Sequence, residues 1–184
     1  DRATLHRLHP ASGRRDRFTF AAGSLGALAL RREAGSVVLA LDGSLHTFDL
    51  GTGRMTMWAE IEPATLNTRL NDGRCDANGN LWIGTMDNGL AAPVGSFYRV
   101  GADGTVVRQF GDVIVSNTVA LSPDQRTLYF SDTRRYVTWA FDLNAEDVAR
   151  TARLGKVVEV EVHRVLVERR CGRADDRRSW RWAR

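Results

Sequence analysis

The sequence predicts an all-β fold built from repeated antiparallel meanders, and three observations carry that prediction. Two local patterns alternate along the chain at a spacing of about 45 residues. Asp-Gly, Asn-Gly and Pro-Asp turn signals separate short runs in which apolar and polar side chains alternate with period 2. No stretch before about residue 145 shows the 3.6-residue period of a helix.

The first pattern is strand, polar turn, strand. It reads "LHRLHPASGRRDRF" (5–18), "LHTFDLGTGRMTMW" (45–58), "FYRVGADGTVVRQF" (97–110) and "TWAFDLNAEDVART" (138–151). The second is a turn followed by a more apolar strand: "REAGSVVLALD" (32–42), "DANGNLWIGTM" (76–86) and "SPDQRTLYFSD" (122–132). About four strands per repeat is the signature of a β-propeller blade. A sandwich gives regular strands too, but not two alternating motifs at this period. Propellers have about 4 to 8 blades, and four periods nearly use up the 184 residues. The expectation is an incomplete propeller of about four blades over residues 1–163, part of a larger one, followed by an Arg-rich tail at 164–184. Gly43, Gly79 and Gly104 each follow Asp or Asn, where a tight hairpin calls for positive φ. Trp82, Tyr129, Phe130 and Trp139 are expected to pack between blades, and Asp132 to anchor a turn.

Composition narrows the function classes. The hydrophobic fraction of 43% is that of a globular chain. No apolar run approaches the roughly 20 residues of a membrane helix, and "DRATLHRLHP" has no basic stretch leading into an apolar one, so no signal peptide is expected. Cys75 and Cys171 are the only cysteines. They fit no metal spacing and are expected as free thiols in a reducing compartment, which points to the cytoplasm. The net charge of +4 is uneven: residues 164–184 hold eight of the 26 Lys+Arg and three of the 22 Asp+Glu, so the body is near neutral. Without a basic stripe on the body, nucleic-acid binding is not expected.

The segment "RLNDGRCDANGNLWIGTM" (69–86) places Arg69, Asn71 and Asp72 just ahead of a buried strand. Locally, Asn71-Asp72-Gly73 reads as a turn or as part of a binding site. Arg69 reads as a surface arginine or a ligand contact. Asn117 lies in "VIVSNTVAL", which reads as a buried strand, so its amide must be satisfied by a structural hydrogen bond or a ligand. His6, His9, His46 and His163 are scattered, with no zinc-type spacing. There is no G-x-S-x-G elbow and no G-x-G-x-x-G opening a helix.

Taken together, R-x-N-D-G-x-x-D, G-T-M and S-N-x-x-x-S-P-D, in "RLNDGRCD", "GTM" and "SNTVALSPD", resemble the SMP-30/gluconolactonase/regucalcin family over about residues 5–155. The resemblance implies a six-bladed β-propeller with one divalent metal, calcium or zinc (magnesium or manganese also possible), at one mouth of its channel. It implies hydrolysis of sugar lactones, with Arg69 and Asn71 lining the substrate pocket and Asn117 as a metal ligand. A bound cation can polarise a carbonyl and activate water, an asparagine oxygen suits calcium or magnesium, and a guanidinium offers fixed donors to hydroxyls or an oxyanion.

The chain also departs from that pattern. The family's E-G-P-x-W segment, whose glutamate binds the metal, has no counterpart. Neither does the later P-D-G-x-x-x-D segment, whose aspartate is the family's general base, so no catalytic base is assigned. Thr118 stands where the family usually has glycine. After Val162 the sequence turns Arg-dense, as a frameshifted end would. The expectation is therefore a lactone hydrolase truncated at both ends and impaired, prone to self-association through open blade edges. The alternatives are a non-catalytic propeller that binds a ligand or protein, and a non-functional truncated product.

Overall fold

The computed structural model describes residues 2–143 and the two-residue strand at 155–156. The Arg-rich tail and most of the last strand–turn–strand copy lie outside the described residues. Fourteen strands and one short 3-10 turn make up the described part. Strands β1 (Thr4–Leu8) and β2 (Arg15–Thr19) form a hairpin. Three four-stranded antiparallel sheets follow, each a meander in chain order. The first holds β3 (Leu25–Leu30), β4 (Ser36–Leu41), β5 (Ser44–Asp49) and β6 (Met55–Glu60). The second holds β7 (Thr68–Cys75), β8 (Leu81–Asp87), β9 (Gly95–Val100) and β10 (Val106–Val113). The third holds β11 (Ser116–Leu121), β12 (Thr127–Asp132), β13 (Val137–Asp142) and β14 (Gly155–Lys156).

The expected patterns map onto these strands. The strand–turn–strand copies are β1–β2, β5–β6, β9–β10 and β13 onward, and the apolar runs are β4, β8 and β12. β4 and β8 are buried along their whole length because both faces are covered. Alternate side chains of β4 go to opposite neighbours: Val37, Leu39 and Leu41 pack with Phe20 and Phe48 toward the β1–β2 hairpin, while Val38 and Ala40 pack with Leu70, Ile83 and Tyr98 of the second sheet. Trp82 and Phe97 of the second sheet turn the other way, onto Leu128, Phe130 and Phe141 of the third. Trp82, Phe130 and Trp139 thus join this packing, as expected, whereas Tyr129 is half-buried and outside the core clusters of the described residues. This stacking of meander sheets face to face is that of successive propeller blades.

The first strands β3, β7 and β11 lie side by side. β7 and the approach to β11 are tied to the ends of neighbouring second strands: Leu70 N–H donates to Asp42 C=O just after β4, and Asp87 N–H at the end of β8 to Ile114 C=O just before β11. Each of the three first strands carries a β-bulge at the same place in the repeat, at Gly26, Asn71 and Thr118–Val119.

Two sequence expectations are corrected. Asn71-Asp72-Gly73, where a turn is one reading, lies within β7, because the bulge at Asn71 absorbs these residues without ending the ladder. Gly79 (φ 85°) and Gly104 (φ 86°) take positive φ, but at the β4–β5 turn Asp42 does so (φ 48°) and Gly43 does not. Gly43 is required for space: a Cβ there would come within 2.3 Å of the Glu62 carbonyl oxygen.

Candidate functional site

The bulges re-aim side chains at the end of the sheets where β7 and β11 begin and where β4, β8 and β12 finish. Three aspartates close those second strands at matching positions, Asp42, Asp87 and Asp132. Asp42 accepts Gly23 N–H (3.1 Å), Ser24 N–H (2.8 Å) and the Ser24 hydroxyl (3.0 Å). Asp132, fully buried, accepts Ile114 N–H (2.9 Å) and Val115 N–H (3.2 Å) and anchors the turn before β11, as expected. Asp87 accepts Gly89, Ala91 and Ala92 N–H, which hold its carboxyl below the usual carboxylate range.

Arg69 and Asn71 meet here. Arg69 Nη1 donates to Asn71 Oδ1 at 2.8 Å and to Leu70 C=O at 3.2 Å. Asn71 Nδ2 donates to Ser116 C=O at 2.7 Å, and Asp72 Oδ2 accepts Val119 N–H at 2.8 Å. Asn71 and Asp72 thus clamp β7 to β11. Burial pushes the Arg69 guanidinium pKa down while the Asp42 carboxylate opposes that shift. Among the described residues, Arg69 Nε and Nη2 have no hydrogen-bond partner.

Arg69 lines a cavity of about 780 Å³ together with Asp42, His46, Glu62, Asn67 and Thr68. Asn71 and Asn117 are not part of that wall. Asn117 is half-buried rather than buried, and stands immediately before the β11 bulge. Its Nδ2 donates to Thr133 Oγ1 at 3.2 Å, which leaves Oδ1 without a partner among the described residues. The three expected site residues are therefore contiguous: Arg69 bonds Asn71, and Asn71 bonds the residue before Asn117.

Glu62 was missed by sequence reading. It is buried and accepts the hydroxyls of Thr68, Thr85 (3.0 Å) and Tyr98 (2.8 Å). Nothing in "IEPA" marks it, since its donors come from three strands that only the fold assembles.

The metal implied by the resemblance does not fit the described residues by themselves. Among them no three His, Cys, Asp or Glu side chains gather into a cage. One neutral oxygen at Asn117 falls short of the 6 to 8 ligands calcium takes.

The family model for the SMP-30/Gluconolactonase/LRE-like region matches residues 1–161. The chain belongs to that family. L-arabinolactonase of Azospirillum brasilense is 40% identical over 111 residues, covering 59% of this chain and 37% of the relative. The 6-deoxy-6-sulfogluconolactonase of Pseudomonas putida is 33% identical over 150 residues, covering 82% and 51%. The solved structure of regucalcin from Agrobacterium tumefaciens, a calcium-binding protein, superposes with a TM-score of 0.69 at 35% identity, over 81% of this chain and 48% of that one. The chain spans about half or less of the length of these relatives. With the family known, the all-β meander sheets are those of its propeller fold.

Proposed function

We propose that the cavity lined by Arg69 at the start of β7 binds a sugar lactone for hydrolysis, within a six-bladed propeller of which this chain is an incomplete part. The observation that carries the reading is Arg69. It is half-buried and held by Asn71, and its Nε and Nη2 have no hydrogen-bond partner among the described residues. A guanidinium so fixed matches the vicinal hydroxyls of a sugar ring, and it stabilises the oxyanion that forms when water adds to the lactone carbonyl. Relatives named as lactonases for arabinose- and gluconate-derived substrates support the class.

The described residues bind and orient; they do not supply the base. Asp42 and Glu62 share the cavity with Arg69, yet each already accepts three hydrogen bonds. Asn71 acts through Arg69 and β11, and Asn117 offers one oxygen donor toward a divalent cation. The Agrobacterium relative is described as calcium-binding, so calcium is the first metal to test, then zinc.

The test is hydrolysis of arabinonolactone and gluconolactone by pH-indicator assay, with and without added calcium or zinc, in wild type, Arg69→Ala and Asn117→Ala. The proposal expects lactone turnover that Arg69→Ala lowers at least tenfold, and the added-metal arms read whether a cation contributes through Asn117. Equal, metal-independent rates in all three proteins overturn it. A second reading, a propeller that binds without catalysis, is favoured by the lack of a metal cage among the described residues. It expects saturable binding with no turnover.

A further inference from the structure

We infer that Glu62 is a positioning residue for Arg69, fixing where the guanidinium sits in the cavity wall; this rests on the lactone-binding reading above. Glu62 lies in the connection from β6 to β7, and the backbone N–H groups of Ile61 and Glu62 both donate to Gly43 C=O at 3.0 Å. The first sheet thereby holds the connection in place, and Gly43 leaves room for it.

From that anchor the carboxylate reaches across the second sheet. Glu62 Oε2 accepts the hydroxyl of Thr68, the residue immediately before Arg69 on β7. Glu62 Oε1 accepts the hydroxyls of Thr85 on β8 and Tyr98 on β9. Thr85 faces Leu70 in the β7–β8 ladder, so Arg69 lies between two positions that Glu62 fixes. One buried carboxylate thus ties three adjacent strands at the point where Arg69 leaves the sheet.

The chemistry makes Glu62 hard to replace. A buried carboxylate needs its lone pairs satisfied, and here the partners are three hydroxyls rather than a cation. Removing it takes the acceptor from the Thr68 hydroxyl and leaves Thr85 only its bonds with the Ser96 backbone. Three of its roughly four acceptor sites are already taken by these hydroxyls. The same contact marks Tyr98: burial, reinforced by the hydrogen bond to Glu62, pushes the phenol up to about 12.

Glu62→Gln tests the inference, because it keeps one acceptor oxygen and the side-chain shape. A gross structural role is excluded first by a thermal melt of the variant. The inference expects KM for the lactone to rise about five- to tenfold with kcat within about twofold. In the Arg69→Ala background it expects no further rise in KM, since Glu62 acts through Arg69. Additive effects in the double variant overturn it. If wild type neither binds nor turns over lactone, the proposed function falls and the inference is read from the Arg69 Nε–Hε NMR signal. A shifted or broadened Arg69 signal in Glu62→Gln, with the Tyr98 phenol titrating below its wild-type value, supports positioning. An Arg69 signal unchanged from wild type overturns it.

Discussion

Thr118→Gly should stabilise this chain, which is unusual for a substitution to glycine inside a strand. Thr118 sits in the bulge of β11 with φ 53°, the left-handed region that a β-branched side chain rarely adopts. The left-handed conformation costs an L-residue about 1–2 kcal/mol. Glycine removes that cost but adds about 0.4–1 kcal/mol of unfolded-chain entropy. The Thr118 side chain is exposed and makes no hydrogen bond among the described residues, so truncation removes no contact. The balance is a gain of about 0.5–1 kcal/mol, or roughly 1–4 °C in Tm for a chain of this size. Urea and thermal unfolding followed by circular dichroism measure it. Thr118→Asn, which tolerates positive φ, should recover part of the gain, and Thr118→Val none. A Tm that falls in Thr118→Gly refutes the reasoning, because it means the bulge carries no strain at that residue.

Three other predictions follow from the same contacts. A Cβ on Gly84 would lie 1.8 Å from Ser116 Oγ. Gly84→Ala should therefore cost about 1–3 kcal/mol by overpacking, and Ser116→Gly in the same chain should restore more than half of it in urea melts. Among the described residues Ser116 Oγ is buried without a partner, so Ser116→Ala alone removes no hydrogen bond and should change stability by less than about 0.5 kcal/mol. The carboxyl of Asp87 is held below its ordinary range by backbone donors, so it stabilises the fold above about pH 4 and loses that effect as pH falls through its lower folded value. Melts from pH 6 to pH 2.5 should show a steeper acid loss in wild type than in Asp87→Asn.

The strands that were legible in the sequence are those whose side chains alternate between turn signals. β4 and β8 are apolar because both their faces are buried, and Asp42-Gly43, Asn78-Gly79 and Asp103-Gly104 mark the β4–β5, β7–β8 and β9–β10 reversals. The innermost strands were harder. β3 reads "LGALAL", without alternation, and β7 carries Asn-Asp-Gly, which looks like a turn until the neighbouring β11 is present to accept Asn71 and donate to Asp72. Arg69 and Asn71 were picked out by resemblance, and their mutual hydrogen bond is local enough to have been guessed. The link from Asn71 to Ser116 spans 45 residues and exists only in the folded chain. Glu62 was invisible for the same reason: its partners lie 6, 23 and 36 residues away, on three strands.

The central claim is that Arg69, held by Asn71, presents its guanidinium to a sugar lactone. NMR titration of the 184-residue chain with a hydrolysis-resistant lactam analogue of arabinonolactone tests it most directly. The account predicts saturable shifts at the Arg69 Nε–Hε signal and at Asn71, with affinity at least tenfold weaker in Arg69→Ala. Saturable binding of equal strength in Arg69→Ala, or an Arg69 signal that does not move at saturation, would contradict it.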